Sequence, residues 1–122
     1  FDLLTTSMSE VENLYREFAL PLDAFIYLNV GRLDPQKNHK VLIEAFHQIS
    51  AEIPKAFLLL VGAGHLENEL KRVIENLKLS NKIIFLGKRD DIAALLEMAD
   101  VFVFPSLFEG LGVALVEAMF KG

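Results

Sequence analysis

Four short apolar runs recur along this chain, and each stops at a glycine or a proline. They are Phe25–Val30 before Gly31, Ala56–Val61 before Gly62, Lys82–Leu86 before Gly87 and Val101–Phe104 before Pro105. Such runs, closed by turn formers, read as strands. The stretches between them carry the helical period instead. Asn38 stands where it can cap a helix whose apolar face is Val41, Leu42, Ala45, Phe46 and Ile49, broken at Pro54. Leu66, Leu70, Val73, Ile74 and Leu77 form a second such stripe, and Asp90 or Asp91 caps a short helix running through Met98. Ahead of the first strand, Ser7 and Glu10 form a capping box for a helix bearing Met8, Val11, Leu14, Tyr15 and Phe18, which ends at Leu20-Pro21-Leu22. A last helix is expected from about Val113 to Phe120.

Strands that alternate with helices need crossover connections, so the chain should fold as an α/β doubly wound parallel sheet. In the common 3-2-1-4 order the first and fourth strands are neighbours, and ligands bind beyond their carboxyl ends. Two segments some eighty residues apart, Gly31-Arg32 and Pro105 to Gly112, would then face one crevice.

Composition agrees. Apolar residues make up 52% of the 122, which suits strands buried on both faces. No apolar run approaches the ~18 residues that a membrane-spanning helix needs. The net charge of −5, with basic residues scattered, argues against nucleic acid as a partner. The absence of cysteine removes disulfide and thiolate chemistry. The first residues lack a basic segment followed by an apolar one, so no secretory leader is expected here. With no initiator Met and an end at Lys121-Gly122, the sequence reads as a piece of a longer protein.

Candidate chemistry sits at the strand ends. Arg32 and Lys37 can clamp a diphosphate, the first as a bidentate fork and the second as a point charge. The alternative is a solvated basic loop. Glu109-Gly110-Leu111-Gly112 precedes the expected last helix, and its amides can cradle a phosphate or approach a sugar. An ordinary strand-to-helix turn would look the same. Glu117 is flanked by Val116, Ala118, Met119 and Phe120, and a carboxylate on such an apolar helix is costly to bury without partners. Gly62-Ala63-Gly64 evokes a dinucleotide fingerprint, but Glu67 stands where a third glycine would, so the loop is expected only to turn the chain and line the crevice. Lys88-Arg89-Asp90-Asp91 borders a base pocket or caps a helix. His47 is read as structural, and His39 as a surface histidine near the first loop; with His65 they form no metal constellation. No Asp-x-Asp pair or Ser/His/Asp grouping is present.

Five segments in order carry a resemblance: Gly31-Arg-Leu with Lys37-Asn-His39, Leu59-Leu-Val-Gly-Ala-Gly64, Ile84-Phe-Leu-Gly87, Ala99-Asp-Val-Phe-Val-Phe-Pro-Ser106, and Glu109-Gly-Leu-Gly112 with Glu117-Ala-Met119. Together they resemble the donor half of the family 4 retaining glycosyltransferases, which have two Rossmann-like domains facing a cleft, the GT-B architecture. The resemblance implies a Rossmann-like donor-binding domain over residues 25–122, incomplete at its C-terminus, after a lead-in helix and linker over residues 1–24. It implies that an acceptor-binding N-terminal domain lies outside this chain.

It further implies roles. Arg32 and Lys37 would hold the donor diphosphate and stabilise the leaving nucleotide, and Glu109 would contact hydroxyls of the transferred sugar. Gly31 and the Gly110, Leu111 and Gly112 amides would line the donor, Glu117 would bind the ribose, and Gly87 with Lys88 would pack on the base. The resemblance implies that the donor would be a nucleoside diphosphate sugar and the acceptor a glycan or lipid-linked sugar, and neither metal nor cofactor is expected. A cytoplasmic protein, peripheral to the membrane through its other domain, is the expected setting. The isolated piece should lack transfer activity, because both substrates must be held in register, and an open sheet edge should favour self-association. Three other readings remain open: a non-catalytic nucleotide-binding module, a nucleotide-sugar epimerase of the same architecture, and a glycoside hydrolase using Glu109 and Glu117.

Overall fold

The computed structural model describes residues 8–33, 38–104 and 117–120. Helix α1 spans Met8–Glu17, and strand β1 spans Phe25–Val30. Then come α2 (His39–Glu52), β2 (Ala56–Val61), α3 (Glu67–Asn76), β3 (Ile83–Gly87), α4 (Ile92–Met98), β4 (Val101–Phe104) and β5 (Glu117–Phe120). The strands form one sheet in the order β3-β2-β1-β4-β5. β1 is central: it runs parallel to β2 from Phe25 opposite Ala56 to Val30 opposite Val61, and parallel to β4 with Tyr27 opposite Val101. β2 and β3 are parallel too, with a shift of register between Leu60 and Val61.

Alternation along these strands builds two cores, one on each face of the sheet. Tyr27, Leu58, Leu60, Val101 and Val103 join Leu42, Ile43 and Phe46 of α2 and Leu70 and Ile74 of α3. On the other face Ile26, Leu28, Leu59 and Val61 join Leu14 of α1 and Ala94, Leu95 and Met98 of α4. Burial on both sides is why the strand sequences are almost wholly apolar. The β1–β4 pairing is locked at its start by Asp100. Its carboxylate accepts from the Ile26 N–H (2.8 Å), and its own N–H donates to the Ile26 carbonyl (2.8 Å).

Three expectations need correction. The last helix, expected through Phe120, is not helical at its end: residues 117–120 form β5, antiparallel to β4 with Glu117 opposite Phe104 and Phe120 opposite Val101. Four consecutive residues cannot distinguish the helical period from the extended one, and the outer edge of β4 offers a row of backbone groups to pair. The sheet is therefore mixed, with four parallel strands and one antiparallel neighbour among the described residues. The start of that expected helix, at Val113, and Ser7 of the capping box lie outside the described residues. Second, Asn38 and Asp91 stand at the N-cap positions of α2 and α4, but neither makes a side-chain cap hydrogen bond. Asn38 adopts the left-handed conformation (φ 54°), and the Asp91 carboxylate is turned to Arg89. Third, the histidines exchange roles: His47 is exposed, whereas His39 is buried, at 2% exposure.

Candidate functional site

The carboxyl ends of β3, β2, β1 and β4 follow one another along one rim of the sheet, and the loops leaving the first three of these strands in space are stitched together by backbone hydrogen bonds. The Gly31 N–H donates to the Val61 carbonyl (2.9 Å), the Leu33 N–H to Ala63 (3.1 Å) and the Leu66 N–H back to Leu33 (3.3 Å). One strand further on, the Gly62 N–H donates to the Gly87 carbonyl at 2.8 Å. Such close approach needs glycine. A Cβ on Gly62, whose φ is 130°, would lie 2.0 Å from the Gly31 carbonyl oxygen, and one on Gly64 would lie 2.3 Å from that of Leu33. The glycines after β2 are thus a brace for the loop after β1, which gives a physical reason for the incomplete dinucleotide fingerprint.

The braced loop carries Arg32. Gly31 before it is half-buried and Leu33 after it is fully buried in the α2–α3 core, while Arg32 itself is exposed. Anchoring both neighbours fixes the arginine's backbone at the rim. Beyond β3, Gly87 takes a positive φ of 68° with open space where a Cβ would stand, and Lys88 is exposed. Glu117 is opposite Phe104, so its backbone belongs to the same rim, at the end of β4. Gly31, Arg32, Gly87 and Lys88 therefore share the rim with the Glu117 backbone, as the strand order requires. Lys37, Glu109, Gly110, Leu111 and Gly112 lie outside the described residues.

Arg89, next to Lys88, is not available to a ligand. Its guanidinium forks onto Asp91 (2.7 and 3.0 Å) and onto Glu17 at the end of α1 (2.7 and 3.3 Å), and it lies over the Phe18 ring. The two forks hold the Asp91 and Glu17 carboxyls below their ordinary range and raise the guanidinium above its own. This pairing fastens the β3–α4 loop to α1 and leaves Lys88 as the exposed cation there.

Sequence reasoning missed Asn29. It is the polar residue inside β1, 5% exposed, and its Nδ2 donates to the Val103 carbonyl (3.0 Å) while its Oδ1 faces His39 Nε2 (3.0 Å). The signal was visible as one amide within Phe25–Val30, but a strand contact to a residue seventy-four positions away has no local signature. Among the described residues no group of three or more His, Asp or Glu is placed to hold a metal ion, and no helix is long and apolar enough to cross a membrane.

A family model described as glycosyl transferases group 1 matches residues 10–122. The chain belongs to that family. It is 40% identical over 106 residues to the UDP-Gal:alpha-D-GlcNAc-diphosphoundecaprenol alpha-1,3-galactosyltransferase of Escherichia coli, covering 84% of this chain and 27% of the relative. It is 37% identical over 97 residues to an uncharacterised glycosyltransferase of Methanocaldococcus jannaschii, covering 80% of this chain and 24% of that one. Among solved structures, it is similar to Anabaena HepE in complex with UDP-glucose, at a TM-score of 0.73 and 30% identity over 87% of this chain and 30% of HepE. This group 1 glycosyltransferase chain thus spans about a quarter of the length of the curated relatives it matches. The Rossmann-like α/β fold is the one that its structural neighbours have.

Proposed function

We propose that this chain is the donor-binding half of a family 4, retaining glycosyltransferase. It holds a nucleoside diphosphate sugar while a separate acceptor domain presents a glycan or a lipid-linked sugar. The observation that supports this reading is the β1–β4 adjacency, Tyr27 opposite Val101 and Leu28 opposite Phe102. It puts Arg32, just beyond β1, and Phe104, the last residue of β4, at a common rim.

Within that reading Arg32 and Lys37 grip the two phosphates and stabilise charge on the departing nucleoside diphosphate. Amides of Gly110, Leu111 and Gly112 meet sugar or phosphate, and Glu109 accepts from sugar hydroxyls. Gly87 and Lys88 border the base; the open space beside Gly87 leaves room for a flat ring. Glu117 takes the ribose hydroxyls from its place beside Phe104 rather than from a helix. No metal is assigned a role. Uridine is the base to test first, because the Escherichia coli relative is named for UDP-Gal and HepE was crystallised with UDP-glucose. The acceptor of that relative and of a Campylobacter jejuni N-acetylgalactosaminyltransferase, 36% identical over 97 residues, is named as a diphosphoundecaprenol-linked sugar, which supports a lipid-linked acceptor.

The test is an amide NMR titration of the chain with UDP, GDP, ADP and NAD. Saturable shifts at Gly31, Arg32, Gly87 and Lys88 with one nucleoside diphosphate are expected, at a Kd of roughly a millimolar for a half-site. Arg32→Ala combined with Lys37→Ala should abolish them. Binding of equal strength in that double variant would sink the site assignment. Transfer without hydrolysis or epimerisation by the longer parent protein separates this reading from its rivals.

A further inference from the structure

The geometry points to Asn29 and His39 as positioning residues for the donor diphosphate, an inference that rests on the donor-site reading above. They are the buried polar side chains of an otherwise apolar core among the described residues, at 5% and 2% exposure. Packing alone does not require them, since a leucine pair fills similar space without the cost of burying polar atoms. Their hydrogen bonds have a fixed direction. Only the amide nitrogen of Asn29 can face the Val103 carbonyl, at 3.0 Å, so the amide oxygen faces His39. His39 must then present a protonated Nε2 across the other 3.0 Å contact.

The chain positions at the two ends of this bridge give it a function. Val103 directly precedes Phe104, the last residue of β4, from which the chain leads to Glu109. His39 is the first residue of α2 and follows Lys37 by two positions. Asn29 lies two positions before Gly31 and three before Arg32. One amide thus ties the end of β4 and the start of α2 to the central strand, on the α2 side of the sheet. Toward the rim, the backbone register between β1 and β4 ends at Leu28–Phe102. The Asn29 side chain continues the connection one residue nearer the rim, where the diphosphate groups must be held in register.

The experiment compares UDP binding by the chain with that of His39→Leu and His39→Gln, by amide NMR at a temperature where each gives a dispersed spectrum. His39→Leu removes the donor to Asn29, and UDP affinity should fall by about tenfold, the scale expected when binding groups lose their placement. The Val103 and Phe104 amides should shift with it. Gln can donate from Nε2, so His39→Gln should restore affinity to within about threefold of the parent. A folded His39→Leu chain with unaltered UDP affinity overturns the inference and leaves the donor site standing. No response of the unmodified chain to any nucleoside diphosphate overturns both. Should His39→Leu not fold, the unmodified chain still decides: a long-range imidazole spectrum must show His39 protonated at Nε2, and the Nδ1–H tautomer would refute the bridge.

Discussion

Gly62 illustrates how one residue can serve two loops at once. Its N–H holds Gly87, and the space where its side chain would be is occupied by the Gly31 carbonyl. Gly62→Ala must move that carbonyl as well as strain a φ of 130°, and should cost roughly 2–3 kcal/mol or more. Gly87→Ala meets no atom within 4 Å and pays only for its φ of 68°, about 1 kcal/mol. Urea denaturation of the two variants checks the order; equal losses would mean that the loop after β1 yields freely. Arg89 supplies a pH-dependent contribution of known sign. Its hydrogen bonds hold Glu17 and Asp91 below their ordinary values of 4.5 and 3.8. Groups with depressed folded-state pKa stabilise above those ordinary values and lose that contribution as pH falls through the folded ones. The difference in melting midpoint between the parent and Arg89→Met should therefore shrink as pH drops from about 6 to about 3. A constant difference would assign the residue's contribution to its contact with Phe18 instead.

The helices show where local rules hold and where they give way. Leu70 and Ile74 of α3 are buried as the apolar stripe requires, with Glu67 paired to Lys71 one turn along on the outside (3.0 Å). Its end follows a rule that the sequence hides. Lys78 adopts φ 61°, and the Leu79 N–H reaches back to the Ile74 carbonyl (2.9 Å), a closing turn usually given to glycine. Lys78→Gly should thus stabilise the chain by about 0.5–1 kcal/mol, a rise of a few degrees in melting midpoint. Arg72→Gly, exposed within the same helix, should cost about 1 kcal/mol. If Lys78→Gly also destabilises, the left-handed turn is not the chain's conformation in solution. β5 makes the complementary point: Glu117–Phe120 has helix-compatible residues, yet pairing along β4 over four positions prevails.

At the scale of the whole molecule the sheet is graded from centre to edge. β1 and β2 have neighbours on both sides and residues such as Ile26, Leu28, Leu58, Leu59 and Leu60 at 0% exposure, whereas β3 is bordered by β2 alone among the described strands and is mostly half-buried. Native-state hydrogen exchange should find the slowest amides in β1 and β2 and faster ones on β3. Exchange on β3 that slows as protein concentration rises would reveal pairing of two chains through that edge. The same gradation suits a binding rim, since the loop that carries Arg32 leaves the central strand β1.

The alternation of apolar strands with helical stripes determined four strand positions, the β3-β2-β1-β4 order and the rim where Arg32 and Lys88 emerge. Those features follow from local periodicity and from the few connections that such an alternation permits. Tertiary structure alone decided the rest. The burial of His39, the exposure of His47, the bridge from Asn29 to Val103 and the grip of Asp100 on Ile26 each depend on a partner far along the chain or on the face a helix turns inward. So does the strand at Glu117–Phe120, which forms because β4 is there to pair with it. Residue type and spacing encode what a segment can do in isolation; which polar group meets which is set only when distant segments pack.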